Sequence, residues 1–379
     1  MQTIETATFA AYTNLKKPES SGKWTVLASI VQVVRDLKEK DVVAIGTGVK
    51  CLNHSLAKAG ADSVVADAHA EVVCRRAFIR YLISQMSLAM NGHKSIFVRT
   101  QTDSAISEPF AKYPLILDER ISFEMYISQS PCGDASMASL EESQPDNDRV
   151  QNEAKRQKYL LENTDLSKST ETSSSLPPEF IAGQARGQVL RGRDDYKKIG
   201  CLRTKPGRVD SEMSISMSCS DKIAKWNIVG ISGALLSMFS KPIYLKVISV
   251  GDLFDADGLQ RALISRADGI RALAWTKGIV KTGLQILSTS GRKQGHAKKN
   301  GVWMETSESN LCNNKLFCGE FLELVHLAKA QNSLPDLLRY VEIDGKSYKE
   351  LKKLSVHYNE VKTLLFNLES FEGWVVKDV

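Results

Sequence analysis

Apolar residues recur at helical spacing near the start of the chain. This pattern predicts an amphipathic helix over 23–39, with a buried face formed by Trp24, Leu27, Ile30, Val31 and Val34. The run 41–50 then predicts a strand. Two glycines near its end, Gly46 and Gly48, are more typical of a turn or a close backbone approach than of a phosphate-binding loop, because a third glycine and a following helix are missing.

Short apolar runs and longer periodic segments alternate along the rest of the chain. Strands are predicted at Val64-Val65 and over 95–98, 121–128 and 243–250. Helices are predicted after residue 69, from residue 219 to about 239, and over 256–266, 315–330 and 346–368. The first of these helices would bury Val72, Val73, Phe78, Ile79, Leu82, Ile83 and Met86, and the last would bury Leu351, Leu354, Val361 and Leu365. Strands that alternate with helices predict a three-layer α/β/α fold.

One polar segment interrupts this pattern. Residues 141–180 are dominated by Glu, Gln, Asp, Asn, Lys, Ser and Thr, and such a composition buries too little apolar surface to offset the entropy of ordering. Because candidate functional residues resume directly after it, we interpret 141–180 as a disordered insertion within a single domain that spans 1–379.

Composition narrows the class of protein only slightly. The net charge of +6 is compatible with a polyanionic partner but does not indicate one. Seven irregularly spaced cysteines do not suggest a secreted disulfide framework. The chain begins without a secretion signal and has no apolar run near the roughly 20 residues that span a bilayer. We therefore expect a protein of the cytoplasm or nucleus, with no membrane partner.

The candidate metal ligands and catalytic residues lie in two short motifs and at one downstream cysteine. A histidine two positions before a glutamate, His69 and Glu71, begins a predicted helix, and a Pro-Cys pair places Cys132 before another. In zinc deaminases such a histidine and two cysteines hold the metal, while the glutamate transfers protons. A second cysteine is expected three positions after the first, but Ala135 stands there. Cys219, which also begins a predicted helix, is the candidate for the missing ligand.

Each of these residues also has an ordinary structural explanation. Taken singly, His69 could be a buried histidine, Glu71 a solvated glutamate, and the two cysteines inert core residues. Their joint occurrence at element starts favours a catalytic zinc site, since three ligands leave the fourth position open. The other cysteines, Cys51, Cys74, Cys312 and Cys318, are expected to pack in the core, and the remaining histidines are assigned no role.

Four segments together carry a family resemblance: 67–76, 130–134, 203–205 and 216–230. They resemble the adenosine deaminases acting on RNA and their tRNA-specific relatives, whose third ligand lies in Ser-Cys-Ser-Asp-Lys far downstream of the Pro-Cys motif. The resemblance runs from about residue 23 to the C-terminus and leaves no room for upstream modules that bind double-stranded RNA. It implies a cytidine-deaminase-like core with a mixed central sheet.

The resemblance also implies an activity. We expect zinc-dependent hydrolysis of adenosine to inosine in tRNA, at position 37 beside the anticodon of alanine tRNA, with the anticodon stem-loop as partner. The alternatives are editing of double-stranded RNA, a non-catalytic RNA-binding subunit on the same fold, and deamination of free nucleosides.

A second cofactor follows from the same resemblance, an inositol hexakisphosphate enclosed by the C-terminal helices. The matching positions are Asp67, Arg75, Arg76, Lys205, Lys222, Lys225, Trp226, Tyr348, Lys352, Tyr358, Lys362, Trp374 and Lys377. Independently of the family, Arg75 and Arg76 on an apolar helix suggest a buried anion, because such cations are rarely buried unpaired. Three positions depart from the family pattern: Asn313 replaces a lysine, Ala234 a serine and Val376 a glutamate.

The contacts with RNA are less well specified. The segment after Lys205 is short, which fits a target base that already lies in a single-stranded loop. The basic loop 291–300 could contact phosphates or could simply be solvated. Val49 and Lys50 match positions that line the adenosine nucleotide in the family, where a threonine usually occupies the position of Val49.

Overall fold

The computed structural model describes most of the chain. Described are residues 3–15, 23–35, 39–60, 63–100, 113–143, helical positions scattered between 147 and 157, and residues 189–192, 195–205, 214–268, 285–288, 296–297, 312–339 and 341–374. The strands are β1 (Lys23–Trp24), β2 (Leu27–Val34), β3 (Glu39–Thr47), β4 (Val49–Cys51), β5 (Asp67–His69), β6 (Phe97–Arg99), β7 (Leu115–Leu117), β8 (Ile121–Gln129), β9 (Val189–Arg191), β10 (Leu202–Thr204), β11 (Leu245–Asp252), β12 (Gln285–Ser288) and β13 (His296–Ala297).

Helices connect and cover these strands. They are α1 (Ile4–Thr13), α2 (His54–Gly60), α3 (Ala70–Met90), α4 (Met137–Ser143), α5 (Cys219–Val229), α6 (Gly233–Leu236), α7 (Ala256–Leu263), α8 (Phe321–Ala330), α9 (Tyr348–Lys353) and α10 (Val356–Phe366). A helical turn, Asn313–Lys315, and a π-helical turn, Leu316–Glu320, lead into α8. No helix in the described part of the chain is both long and apolar enough to span a bilayer.

A five-stranded mixed sheet forms the centre, in the order β12-β11-β8-β2-β3. Strand β11 pairs in parallel with β8 and β12, whereas β2 pairs antiparallel with β8 and β3. Helix α3 packs on the face that carries Ile30, and α1 packs on the opposite face, where Thr8 bonds to Ser29 at 2.6 Å. The predicted α/β fold with a mixed sheet is therefore confirmed.

The predicted helix over 23–39 is wrong, because this region forms β1 and β2. The β-branched residues Ile30, Val31, Val33 and Val34 favour a strand. Residues 27–31 are all buried, since α1 and α3 cover opposite faces of the sheet. A strand buried on both faces loses its alternation of polar and apolar positions, so its apolar residues can match a helical template by chance.

Other boundaries also shift. The strand predicted at Val64-Val65 lies instead at β5, which carries His69. The helix predicted from residue 219 to 239 ends at Val229, because Gly230 adopts φ 87° and breaks it before α6. The helix predicted over 346–368 divides into α9 and α10 around Ser355. The remaining predicted elements lie within a few residues of observed ones.

Apart from a small cluster of Ile4, Val31 and Tyr126 between α1 and the sheet, the described residues form two apolar cores. The larger joins the sheet to α3, α7 and α8 through residues such as Phe78, Phe123 and Leu263. The smaller lies between α5 and α10, where Ala224, Val361 and Leu365 are buried. Most of the predicted insertion 141–180 and most of the basic loop 291–300 lie outside the described residues, although β13 within that loop pairs with β1.

Candidate active site

Three separate elements deliver the candidate metal ligands to one place. His69 ends β5 and caps α3, Cys132 follows β8, and Cys219 is the first residue of α5. Their donor atoms all lie within 4.8 Å of one another, and Cys132 Sγ is 3.7 Å from His69 Nδ1. Donors on one tetrahedral zinc ion would be separated by about 3.3–3.8 Å. The three residues therefore fit a metal ion with an open fourth position.

The electrostatics of the two thiols favour a cation between them. The hydrogen bond from Cys219 lowers the pKa of Cys132 well below its usual value, and Lys205 and His69 act in the same direction. Burial and the neighbouring Cys132 raise the pKa of Cys219. Two thiolates side by side in a buried site repel each other, so the donor set suits a divalent metal that accepts sulfur ligands.

Asp67 anchors a charged cluster behind this site. Lys205 Nζ donates to both of its carboxylate oxygens, at 3.0 and 2.8 Å, and also to Cys219 Sγ at 3.1 Å. Lys222 forms a further ion pair with Asp67, and Ser216 Oγ donates to it at 2.9 Å. Burial alone would raise the pKa of Asp67, but the two lysines outweigh it and hold that pKa well below its usual range. A continuous series of ion pairs and hydrogen bonds thus connects Lys222 through Asp67 and Lys205 to Cys219.

Glu71 lies in the first turn of α3, two residues after His69. Its side chain is only 3% exposed, and its Oε2 atom has no hydrogen-bond partner among the described residues. Burial and the nearby Cys132 raise the pKa of Glu71. A buried carboxylate with an unused oxygen beside three metal-binding side chains is suited to accept and release protons.

The two residues expected to line the substrate lie on β4. This strand pairs antiparallel with β5, so that Val49 is opposite His69 and Lys50 is opposite Ala68. Lys50 is exposed. Cys51 ends the same strand, only partly buried, and its Sγ lies 3.2 Å from Ser214 Oγ. Of the other cysteines expected in the core, Cys74 and Cys312 are fully buried and Cys318 is partly exposed.

A cavity of about 140 Å³ lies between α3, α5, α9 and α10. Four cationic side chains line it: Arg75, Lys225, Lys352 and Lys362. Among the described residues, no acidic side chain lines the cavity. Burial, together with Lys362 and Arg75, lowers the pKa of Lys225 to about 7. Burial also lowers the pKa of Arg75 and of Lys362. The cavity therefore concentrates positive charge from four side chains of three different parts of the chain.

Aromatic rings hold several of these cations. The guanidinium of Arg75 lies 5.1 Å from the ring of Trp226, and Lys352 Nζ lies 4.3 Å from the ring of Tyr348. Lys225 Nζ lies 5.2 Å from the ring of Trp374. Cation–π contacts of this kind help to fix the cations in place, but a neutral ring supplies no net negative charge.

The structure distributes the predicted inositol-phosphate residues over three places. Seven line the cavity: Arg75, Lys225, Trp226, Tyr348, Lys352, Tyr358 and Lys362. Asp67, Lys205 and Lys222 form the series of ion pairs and hydrogen bonds that ends at Cys219. Arg76 lies apart from the cavity lining and donates to Asn313 Oδ1 at 2.9 Å, and Trp374 stacks on Phe366. Ala234 lines the cavity, while Val376 and Lys377 lie outside the described residues.

Sequence reasoning missed a second set of charged residues beside the thiols. Asp134, Asp221 and Arg266 are buried, and Arg266 forms an ion pair with each of the two aspartates. The sequence does contain a signal, because an aspartate follows each of the two candidate cysteine ligands by two positions. Arg266 has no such signal and is brought there only by the fold.

Comparison with known proteins identifies the family. The sequence profile of the adenosine-deaminase (editase) domain matches residues 44–275 and 270–378. The chain belongs to the adenosine-deaminase (editase) family. The family expected from the sequence motifs is thereby confirmed.

Relatives of this deaminase include proteins that act on tRNA and on double-stranded RNA, as their names state. The tRNA-specific adenosine deaminase 1 of Drosophila melanogaster is 32% identical over 345 residues, which cover 81% of this chain and 77% of the fly protein. The Homo sapiens protein of the same name is 28% identical, over 72% of this chain and 69% of its own length. The Drosophila double-stranded RNA-specific editase Adar is 32% identical over 76% of this chain, but over 39% of its own length.

Proposed function

We propose that this deaminase converts adenosine to inosine in tRNA, at position 37 beside the anticodon of alanine tRNA. The observation that carries the proposal is the convergence of His69, Cys132 and Cys219 beside the buried carboxylate of Glu71. The choice of tRNA is supported by the similarity to the fly tRNA-specific deaminase, which extends over 77% of that protein. A protein of this kind would act in the cytoplasm or nucleus.

In the proposed reaction water replaces the exocyclic amine of adenine. A C–O bond forms at C6, the C–N bond breaks, and ammonia leaves. His69, Cys132 and Cys219 would hold Zn²⁺. When bound, the ion supplies the acidity that makes water a nucleophile at neutral pH, by lowering the pKa of water to about 7. Glu71 accepts the proton of the attacking water and passes protons to the ring nitrogen and to the departing amine.

Val49 and Lys50 are proposed to bind the target nucleotide. Val49 lies opposite His69 in the β4–β5 pair, and Lys50 is exposed beside it. A side chain opposite His69 can contact the base, while an exposed lysine at the next position can reach a phosphate of the same strand. The RNA partner would be the anticodon stem-loop, whose loop bases are already unpaired.

We further propose that inositol hexakisphosphate fills the cation-lined cavity and is enclosed by α9 and α10. The support is the charge of the cavity: four cations line it, and the pKa of Lys225 falls to about 7 in the absence of a counter-ion. A polyanion would offset this repulsion, because like charges held close together in a partly buried site disfavour the charged form of each group. Asn313, Ala234 and Val376 replace residues that bind it elsewhere in the family, so we expect fewer contacts.

The test is to incubate purified protein with an alanine tRNA transcript and to sequence the product, since inosine is copied as guanosine. One A-to-G change at position 37 is expected. A transcript that carries guanosine at position 37 is the substrate control, and Glu71→Gln protein controls for contaminating deaminases. Deamination of a long RNA duplex without any change in the tRNA would instead assign the protein to the editing branch. Inactivity on both substrates, in protein that contains zinc, would favour an RNA-binding subunit.

A further inference from the structure

The segments that carry the two candidate cysteine ligands repeat one arrangement. Asp134 lies two residues after Cys132, at the start of a 3₁₀ turn, and Asp221 lies two residues after Cys219, in the first turn of α5. Both aspartates are completely buried. Each cysteine is thus followed at the same interval by a carboxylate that points away from water.

One guanidinium connects these two carboxylates. Arg266 Nη2 donates to Asp134 Oδ2 at 3.0 Å, and Arg266 Nη1 donates to Asp221 Oδ1. The Arg266 side chain is 2% exposed. Its 3₁₀ turn, Ser265–Ala267, is fixed by Ser370 Oγ, which donates to the Arg266 carbonyl at 2.7 Å.

The other carboxylate oxygens are engaged by the backbone and by a serine. Asp134 Oδ1 accepts from the Gly200 amide at 2.7 Å. Asp221 Oδ2 accepts from the Arg203 amide at 3.0 Å and from Ser218 Oγ at 2.6 Å. These contacts hold each carboxylate in one orientation. The two cysteine segments also contact each other directly, since the Ser220 amide and Ser220 Oγ donate to the Cys132 carbonyl at 3.0 and 2.9 Å, and the guanidinium adds a side-chain link between the two carboxylates.

We propose that Arg266 is a positioning residue that fixes the spacing of the Cys132 and Cys219 thiols by bridging Asp134 and Asp221. This inference rests on the proposed metal site. A guanidinium is planar and presents its donors in a rigid fork, so two carboxylates bound to different nitrogens are held at a set separation. The ammonium of a lysine is a single point and cannot impose that separation. Residues that orient metal ligands typically contribute 10- to 100-fold to metal affinity.

The test compares Arg266→Lys with Arg261→Lys in otherwise intact protein. Arg261 is a matched control, because its Nε also donates to Asp134 Oδ2, at 3.1 Å, but the Arg261 side chain makes no ion pair with Asp221. Metal-free protein is titrated with Co²⁺ against a chromophoric chelator, and the thiolate-to-cobalt charge-transfer band is recorded. We expect Arg266→Lys to weaken Co²⁺ binding by roughly 10- to 100-fold and to shift the band. Arg261→Lys should remain within about threefold of the parent protein.

Equal affinity and an unchanged band in Arg266→Lys would overturn the proposal while leaving the metal site intact. A parent protein that binds no Co²⁺ would overturn the metal site itself, and the positioning role with it. If Arg266→Lys does not fold, the triple variant Asp134→Asn, Asp221→Asn, Arg266→Met decides the question, because it removes all three fully buried charges together, and Arg261, which loses its ion pair with Asp134, is partly exposed to water. Weakened Co²⁺ binding and an altered band in the folded triple variant would support the proposal, and parent-like binding would refute it.

Discussion

Glu71 illustrates how burial gives an ordinary residue its chemistry. It lies two residues after His69, yet its Oε2 atom has no hydrogen-bond partner among the described residues, and burial raises its pKa. An unused buried oxygen is normally destabilising, since most buried polar atoms are hydrogen-bonded. A residue that carries protons during the reaction requires such a free oxygen beside the candidate ligands, because this oxygen must accept the proton.

Replacing Glu71 with glutamine should abolish turnover and leave the metal in place. The amide keeps the shape of the side chain but cannot accept the proton of water, and general acid–base catalysis contributes about 10²- to 10⁴-fold. We expect kcat to fall by at least about 100-fold, with unchanged zinc content by elemental analysis. Glu124→Gln is the control, because Glu124 pairs with Lys40 on the sheet and should be dispensable. Activity above about a tenth of the parent level in Glu71→Gln would remove Glu71 from the mechanism.

Single residues of the site were the most predictable part of the protein. His69, Glu71, Cys132 and Cys219 follow from residue type and spacing, because catalytic chemistry restricts both. Arg266 could not be predicted in this way: it meets Asp134 across 132 positions and Asp221 across 45, and no local pattern specifies such contacts.

At the scale of elements, the contact between β3 and α3 sets the geometry of the site. A Cβ atom at Gly46 would lie 2.4 Å from the Ala70 carbonyl oxygen and 2.4 Å from the Cys74 amide nitrogen. Strand and helix therefore pack with their backbones almost touching, at the end of α3 that carries Glu71. The sequence predicted a close backbone approach here but could not identify the partner.

Gly46→Ala should accordingly destabilise the protein and disturb the site. The added methyl group meets backbone atoms that cannot rotate away, so α3 must shift. Overpacking of this kind costs about 1–3 kcal/mol. Urea unfolding measures the loss, and Ser84→Ala on the exposed face of α3 should stay within about 0.5 kcal/mol of the parent protein. Parent-like stability and kcat in Gly46→Ala would show that this contact is looser than the structure describes.

Elements buried on two sides were the least predictable. Strand β2 matches a helical pattern because residues on both of its faces are buried, and the covering helices α1 and α3 explain this burial. In contrast, α3 and α8 have one buried face each, and their periodicity was sufficient to predict them. The sequence of a central strand does not show which helices cover its two faces, and this is what would be needed to predict its burial pattern.

At the scale of the whole molecule, the cation-lined cavity joins parts of the chain that are far apart in sequence. Arg75 comes from α3, Lys225 from α5, and Lys352 and Lys362 from the last two helices. The stability of the assembled protein should therefore depend on what neutralises these four cations.

The pH dependence of stability provides a test. In folded protein without a bound polyanion, the pKa of Lys225 is lowered from its ordinary value of 10.5 to about 7. Lys225 therefore loses its proton near pH 7 in the folded state, but retains the proton up to about pH 10.5 in the unfolded chain. The unfolded state thus binds more protons in this window, so stability should rise with pH from 7 toward 10.5. The expected gain is up to about 2 kcal/mol between pH 7 and 8.5, measured by chemical unfolding. Added inositol hexakisphosphate should restore the charge on Lys225 and remove the slope.

Lys225→Met is the control for this measurement, since it lacks the titrating group and should show a flatter profile without any polyanion. An identical pH slope in the parent protein and in Lys225→Met would mean that Lys225 does not titrate in this range. Protein purified without stripping should also release inositol hexakisphosphate on acid denaturation, which mass spectrometry can detect.

The order of these residues along the chain has a consequence for biosynthesis. His69 emerges from the ribosome first, Cys132 follows 63 residues later, and Cys219 another 87 residues after that. Arg266 emerges 45 residues after Asp221, and the lysines of α9 and α10 come last. A nascent chain that stops between residues 219 and 266 carries every candidate ligand but lacks the arginine that spaces two of them. With Arg266 in its proposed role, we expect the metal site to mature late in translation, and a chain terminated in this interval to bind Co²⁺ more weakly than the full chain although its ligand set is complete.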